Sequence, residues 1–259
     1  MKSNYVIYIL ICTIYFSCAD NTRQNETART PENTFTSAVY KTINIIEKDE
    51  DCETEDFCTR ISIELPQITK CAKSLDNEKI NRDIRQLVAS GALEAKDSQK
   101  NLEAICIDFI RDYKSFESKV SDGVVPWELE IVARIITNDQ RFISVIVEEE
   151  SYLGGAHGNH QVKFLNYDVL SGKPLKLDEI PVDIEQFKKL AEQIFRENKR
   201  IAPQADLQQE GYTFDGNQFS LPENFGIENN HIILYYNNYE IAPYSMGPTE
   251  LRIPLQSII

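Results

Sequence analysis

The chain has 259 residues, 42% of them hydrophobic, enough for one sizeable core or two small ones. Asp and Glu number 41 against 27 Lys and Arg, a formal net charge of −14. A surface of that sign repels phosphate backbones, so nucleic acid is not an expected partner, and it attracts basic proteins.

The first segment reads as a targeting signal. Lys2 is the only charge ahead of Asp20, and residues 5–16 form an apolar run of twelve broken only by Thr13. That run is too short to span a bilayer and suits the core of a signal peptide. Ser17 precedes Cys18 and polar sequence follows at once, as in a bacterial lipoprotein signal cleaved before a lipidated cysteine. The expectation is a signal peptide at 1–17, an anchor lipid on Cys18 and a polar tether completing 18–34. An ordinary secretory signal is the alternative. Beyond Cys12 and Cys18, four cysteines remain: Cys52, Cys58, Cys71 and Cys106. An even count in an exported chain points to disulfides. The preferred pairing is Cys52–Cys58, closing a short loop, with Cys71–Cys106 tying a strand end to a helix. No C-x-x-C spacing favours zinc.

The body shows two pattern regimes. In the first, 35–150, residues 35–46 and 59–65 read as strands, the second alternating at Ile61, Ile63 and Leu65. The acidic loop 47–56 between them lacks an EF-hand's glycine and closing glutamate and reads as a solvated tip. A helix over 75–88 puts Ile80, Ile84, Leu87 and Val88 on one face and stops by Gly91. Asp97 or Ser98 then caps a second, striped by Leu102, Ile105, Cys106, Phe109, Ile110 and Tyr113. Strands follow at 128–136 and 142–147, joined by a turn at 138–140, with Trp127 as a half-buried anchor at the entry. Glu148, Glu149 and Glu150 read as a solvated strand end rather than paired catalytic carboxylates.

The second regime, 151–259, opens on Tyr152-Leu153-Gly154-Gly155-Ala156-His157-Gly158-Asn159-His160, which holds two of the three histidines and three of the ten glycines. On an extended strand His157 and His160 point to opposite faces, so a shared metal is not expected, nor is any cofactor. A strand at 161–169, a turn at 171–174 and a helix at 183–198 come next, followed by strands at 219–221, 232–236, 239–242 and 251–255. Asn237-Asn238 fits a two-residue hairpin turn, and it and the 244–248 loop would be exposed. Tyr152, His157, Asn237, Asn238, Tyr244 and Met246 are therefore the candidate binding residues. The fold class is α+β: antiparallel sheets with helices packed on them, two regimes in one compact body.

Several of these motifs share an order. Tyr152-x-Gly154-Gly155-Ala156-His157 precedes Asn166-Tyr167-Asp168 and Gly172-Lys173-Pro174-Leu175-x-Leu177. Phe219-Ser220-Leu221, Tyr239-Glu240-Ile241-Ala242-Pro243-Tyr244-Ser245-x-Gly247 and Leu251-Arg252-Ile253-Pro254-Leu255 follow. The series resembles a bacterial extracytoplasmic domain family of unknown function. That family is shared by the non-catalytic region of PdaC-type peptidoglycan deacetylases and by the lysozyme-sensing anti-sigma factor RsiV. The resemblance implies a membrane-tethered envelope protein that binds, with lysozyme or a similar muramidase as first partner and peptidoglycan or another glycan as second. A metal-dependent deacetylase or hydrolase is the third reading, and no enzyme is expected. Thr213-Phe214-Asp215-Gly216 and His157-x-x-His160 resemble deacetylase metal motifs, but their order is reversed and the histidine spacing is one residue short. With the sequence ending at Ile259, an additional catalytic domain is not expected.

Overall fold

Alternating apolar residues build the larger of two sheets. In the computed structural model its strands are β1 (Val39–Lys48), β2 (Arg60–Lys70), β3 (Glu128–Asn138), β4 (Phe142–Tyr152), β5 (Asn159–Asp168) and the short β6 (Lys173–Pro174), in that spatial order. The structure describes residues 37–52, 54, 57–91, 101–120, 123–180 and 183–257. All lie in the second of the chain's two compact units, Phe35–Ile259. The expected signal peptide, Cys18, the tether, and the caps Asp97 and Ser98 lie outside the described residues.

Every neighbouring pair in this sheet is antiparallel except β2 and β3, so the sheet is mixed rather than purely antiparallel. The cause is the connection: a parallel partner needs a long crossover, and α1 (Asn77–Ala89) and α2 (Leu102–Glu117) supply it. Asp76 caps α1 by accepting from the Glu78 and Lys79 amides, and Asn101 caps α2. Both helices cover one sheet face. Ile61, Ile63, Leu65, Leu129, Ile131, Val145 and Val147 meet Ile80, Ile84, Val88, Leu102, Ile105 and Cys106 there. The buried Asn81 amide closes the end of β2, bonding both Ile68 N and Ile68 O at 2.8 Å.

The second sheet orders β7 (Phe225–Glu228), β8 (His231–Tyr236) and β9 (Thr249–Pro254), all antiparallel. Its core is aromatic: Phe187 and Phe195 of α3 (Ile184–Lys199) pack with Tyr212, Phe214, Phe219 and Tyr236. The two sheets meet where β7 crosses β4 and β5. Ile227 N donates to Ser144 Oγ (3.1 Å), and Asn166 Nδ2 donates to Phe225 O (2.7 Å). Gly226 lies against the Phe164 ring, and a Cβ there would stand 2.4 Å from it. The expected regime boundary at residue 150 falls inside β4.

Three expectations fail for identifiable reasons. Residues 219–221 are not a strand; Phe219 points into the aromatic core from irregular chain. Residues 239–242 are turn and bend, and Asn237-Asn238 is not a two-residue hairpin turn: it opens the long 237–248 connection between β8 and β9. The asparagine-pair hairpin is Asn229-Asn230, between β7 and β8, with φ of 49° and 61° as a two-residue primed turn requires. The cysteines divide differently as well. Cys52 and Cys58 are bonded, with Cα atoms 5.2 Å apart, but Cys71 and Cys106 are free thiols. Cys106 faces the core at 0% exposure, and burial pushes its thiol up to about 12, helped by Glu47 and Glu103. Cys71, beyond the end of β2, is occupied by Asn77 Oδ1 at 2.5 Å.

The acidic loop is only partly a solvated tip. Lys114 of α2 bridges Asp49 and Asp51, each at 2.7 Å, and Asp49 is buried. Burial raises the Asp49 carboxyl, but its bonds from Lys114 and the Asp51 amide outweigh that and hold it below the usual range.

Candidate functional site

The β4–β5 hairpin carries the histidine segment at its tip. Pairing runs to Ser151 and Asn159, leaving residues 152–158 as the loop, with Gly154 in the left-handed region at φ 79°. His157 is exposed on this loop and stacks on Tyr244, ring centroids 3.8 Å apart at 17°. Its Nδ1 lies 2.8 Å from Gly158 O, and its Nε2 lies 3.2 Å from the Tyr239 hydroxyl. A carbonyl can only accept, so Nδ1 carries a proton, and in the neutral ring Nε2 then accepts from Tyr239. Tyr244 OH also donates to Gly158 O (3.0 Å), and the Tyr239 and Tyr244 rings stand 5.6 Å apart. The result is a three-ring platform in which Tyr239, at 62% exposure, and His157 are exposed and Tyr244 is half-buried.

Two clefts flank the platform. The first, about 560 Å³, sits on the sheet face not covered by α1 and α2 and is lined by Arg60, Glu128, Glu130, Glu150, Tyr152, His160 and Tyr244, among others. Cross-strand register explains it. Ser62, Glu130, Glu150 and His160 form one row across β2, β3, β4 and β5, and Arg60, Glu128 and Tyr152 form the next. Glu130 and Glu150 are therefore directly opposed like charges, an arrangement that disfavours folding. Arg60 pairs with Glu128 at 3.5 Å, and His160 Nδ1 lies 3.4 Å from Glu150.

The second cleft, about 550 Å³, lies on the helix side and is lined by Ser90, Gly91, Glu149, His157 and Gln161 among others. Here a solvated strand end was the wrong reading for one residue. Glu149 is 4% exposed, and a methyl group on Gly91 would overlap its carboxylate. Period-two alternation is the signal that marks it: Glu149 shares a face with Val145 and Val147. Lys163, one strand away, bonds Ser90 Oγ at 3.1 Å. Burial pulls its ammonium below the usual lysine range, and Glu149 opposes that. Glu148 instead pairs with Arg134 on the opposite face.

The candidate residues separate into two groups. Tyr152, His157 and Tyr244 converge on the platform and clefts. Asn237 and Asn238 are engaged by the backbone of β5, whose outer edge pairs with β6 only at Tyr167 and Asp168. Asn237 Oδ1 accepts from Val162 N (2.8 Å) and its Nδ2 donates to Val162 O (2.9 Å). Asn224 accepts from Phe164 N (3.0 Å) and donates to Val162 O (2.7 Å), while Asn238 Nδ2 reaches His160 O (3.4 Å). Side-chain amides thus replace a missing strand. Glu240, whose carboxyl burial lifts above its ordinary range, holds Asn237 N at 2.8 Å. Met246 packs over Gly211 and lines neither cleft.

Among the described residues no group of three or more His, Cys, Asp or Glu is placed to hold a metal ion. His157 and His160 line different clefts, and Asp215 lies in a short 3-10 turn beside Phe214 of the aromatic core. A third cleft, about 840 Å³, lies between the β3–β4 and β7–β8 turns. Its polar groups serve the turns: Asp139 accepts from Arg141 N and Phe142 N, and His231 Nδ1 meets Asn229 O.

Comparison with known proteins divides the chain into two matching regions. Residues 52–160 match the family described as deacetylase PdaC, and residues 180–256 match a protein family of unknown function, DUF3298. The peptidoglycan-N-acetylmuramic acid deacetylase PdaC of Bacillus subtilis is 30% identical over 130 residues, which is 49% of this chain and 27% of that one. The chain thus spans about a quarter of the length of that curated relative. A crystal structure of a DUF3298 family member from Bacteroides fragilis superposes with a TM-score of 0.65 at 22% identity, covering 87% of this chain and 93% of the other. A DUF3298 family protein from Pseudomonas aeruginosa gives 0.58 at 20% identity, covering 85% and 91%. These likenesses establish the fold.

Proposed function

We propose that this chain, which carries a PdaC-like region followed by a DUF3298 region, is an exported binding module of the cell envelope. Its ligand is the glycan of peptidoglycan, received on the His157–Tyr239–Tyr244 platform. The carrying observation is the aromatic cluster at a polar cleft, with the His157 and Tyr239 rings exposed and the half-buried Tyr244 lining the cleft. Flat rings with an apolar face and a polar edge suit a sugar ring, whose own faces have the same character. A relative whose name gives it action on peptidoglycan supports the ligand class. The opposed Glu130 and Glu150 accept from hydroxyl and amide donors such as a sugar presents, and disfavour an anionic ligand. In this reading Cys18 bears the lipid, the segment to residue 34 is a tether, and no residue of the chain performs chemistry.

Co-sedimentation with purified sacculi tests the reading. Wild type should pellet with sacculi, and Tyr239→Ala with Tyr244→Ala should leave it in the supernatant. Equal pelleting of both would remove the platform from the account.

A second reading has its own observation. The net charge of −14 and the Glu128, Glu130 and Glu150 row would steer a basic lysozyme-like protein to the same cleft. Calorimetric titration with lysozymes at low and physiological salt distinguishes it: binding there, without binding to sacculi, makes the protein partner primary.

A further inference from the structure

The outer edge of β1 is a long strand with no partner among the described residues. It contributes ten residues, pairs only with β2, contains no proline, and has a register irregularity only at Val39/Tyr40. Edges of this length are ordinarily shortened, bent away or covered, because their free amide and carbonyl groups template another strand. The β5 edge of the same sheet shows such cover, from Asn224, Asn237 and Asn238. On β1, Tyr40, Lys41, Thr42, Asn44 and Ile46 are all exposed, with Ile46 at 70%.

We propose that β1 is a homodimerisation edge, pairing antiparallel with β1 of a second copy about a twofold axis at Asn44. The occupant is identified by the strand's own sequence. Directly opposed residues in an antiparallel pair lie on the same face, so a twofold pairing can only be centred on a single residue or stepped by one residue at a time. Centring on Asn44 sets Lys41 opposite Glu47, twice by symmetry, and Ile43 opposite Ile45 on the same face. On the other face Thr42 meets Ile46. Centring on Ile43 sets Lys41 against Ile45, and centring on Thr42 sets it against Ile43, so both lose the charge match. The strand is thus self-complementary in charge and in apolar content in one register.

The axis stands perpendicular to the sheet, so each copy keeps its faces. Both helical layers fall on one side, and both carboxylate-lined clefts open on the other. The pairing does not depend on what those clefts bind; two sites facing one way would add avidity toward a repetitive polymer.

Sedimentation velocity over a concentration series, with charge exchange, tests the proposal. Wild type should show a monomer–dimer equilibrium. Lys41→Glu and Glu47→Lys should each be monomeric, since each opposes like charges twice. An equimolar mixture of the two should recover the dimer mass, because every opposed pair then regains opposite sign. Lys41 is exposed and Glu47 half-buried, so circular dichroism melts of both variants confirm that each is folded at the temperature of sedimentation. Wild type that is monomeric at every concentration overturns the proposal. So do single variants that dimerise like wild type, and so does a mixture of folded variants that stays monomeric.

Discussion

Asn237→Ala and Asn224→Ala form a double-mutant cycle whose outcome follows from one shared acceptor. Val162 is 3% exposed, and its N–H has Asn237 Oδ1 as partner at 2.8 Å. Truncating Asn237 orphans that buried donor, a loss of about 1–3 kcal/mol. Val162 O is spared, because Asn224 Nδ2 still donates to it at 2.7 Å. Truncating Asn224 frees Phe164 N, which is only half-buried, and costs about 0.5–1.5 kcal/mol. Here again Val162 O keeps a donor, from Asn237. The double variant strips both, so its destabilisation should exceed the sum of the singles by about 0.5–1.5 kcal/mol. Urea unfolding of the four proteins, with constant m-values, measures the cycle. Additivity within error, or Asn237→Ala as stable as wild type, would refute the strand-replacement account and return Asn237 to the pool of ligand contacts.

Other outcomes follow from individual positions. Gly226→Ala should destabilise by about 1–3 kcal/mol in the same assay, because its Cβ would meet the Phe164 ring between the sheets. At the β7–β8 turn, Asn230→Gly should leave stability unchanged or raise it, while Asn230→Val should lower it by about 1–2 kcal/mol, since φ there is 61°. Alkylation of the native protein with peptide mapping should label Cys71 slowly, since burial raises its half-buried thiol, and Cys106 only after denaturation, while Cys52 and Cys58 should label only after reduction; a crosslinked Cys71–Cys106 peptide would contradict the structure. Acidification should release the Lys114 clamp: Asp49 titrates below its unfolded value, so its stabilisation is present above that value and lost as pH falls through the folded one. Asp49→Asn should flatten that acid limb of the stability profile.

Much of the fold is legible from periodicity because packing follows it. The α2 stripe named from sequence is the buried face, and Leu129, Ile131 and Ala133 point inward as their alternation requires. Turns are less legible. Asparagine pairs occur at 229–230 and 237–238, and only the first is a two-residue turn; the second opens the long β8–β9 connection and spends its side chains on β5. Propensity does not distinguish a residue that forms a turn from one that hydrogen-bonds across to another element. The parallel β2–β3 pair and the free Cys71 and Cys106 were hidden for the same reason: both depend on where helices carry the chain, not on local pattern. The site was half legible. His157 and Tyr244 could be named, but they lie 87 positions apart in sequence, and their stacking is a product of the fold. Glu149 was readable from strand parity alone once β4 was extended to Tyr152.

The most direct test of the proposed platform is a paired binding isotherm on purified sacculi with Tyr239→Ala and Asn237→Ala. Tyr239 is exposed, and its hydroxyl bonds the His157 nitrogen while its ring lies beside the platform rings, so its truncation should leave the melting curve nearly intact and weaken binding about fivefold, roughly 1 kcal/mol. Asn237→Ala should lower stability yet bind, per folded molecule, as tightly as wild type. Undiminished binding by Tyr239→Ala, or loss of binding by Asn237→Ala at a temperature where it is fully folded, would contradict the placement of the ligand on the His157–Tyr239–Tyr244 platform.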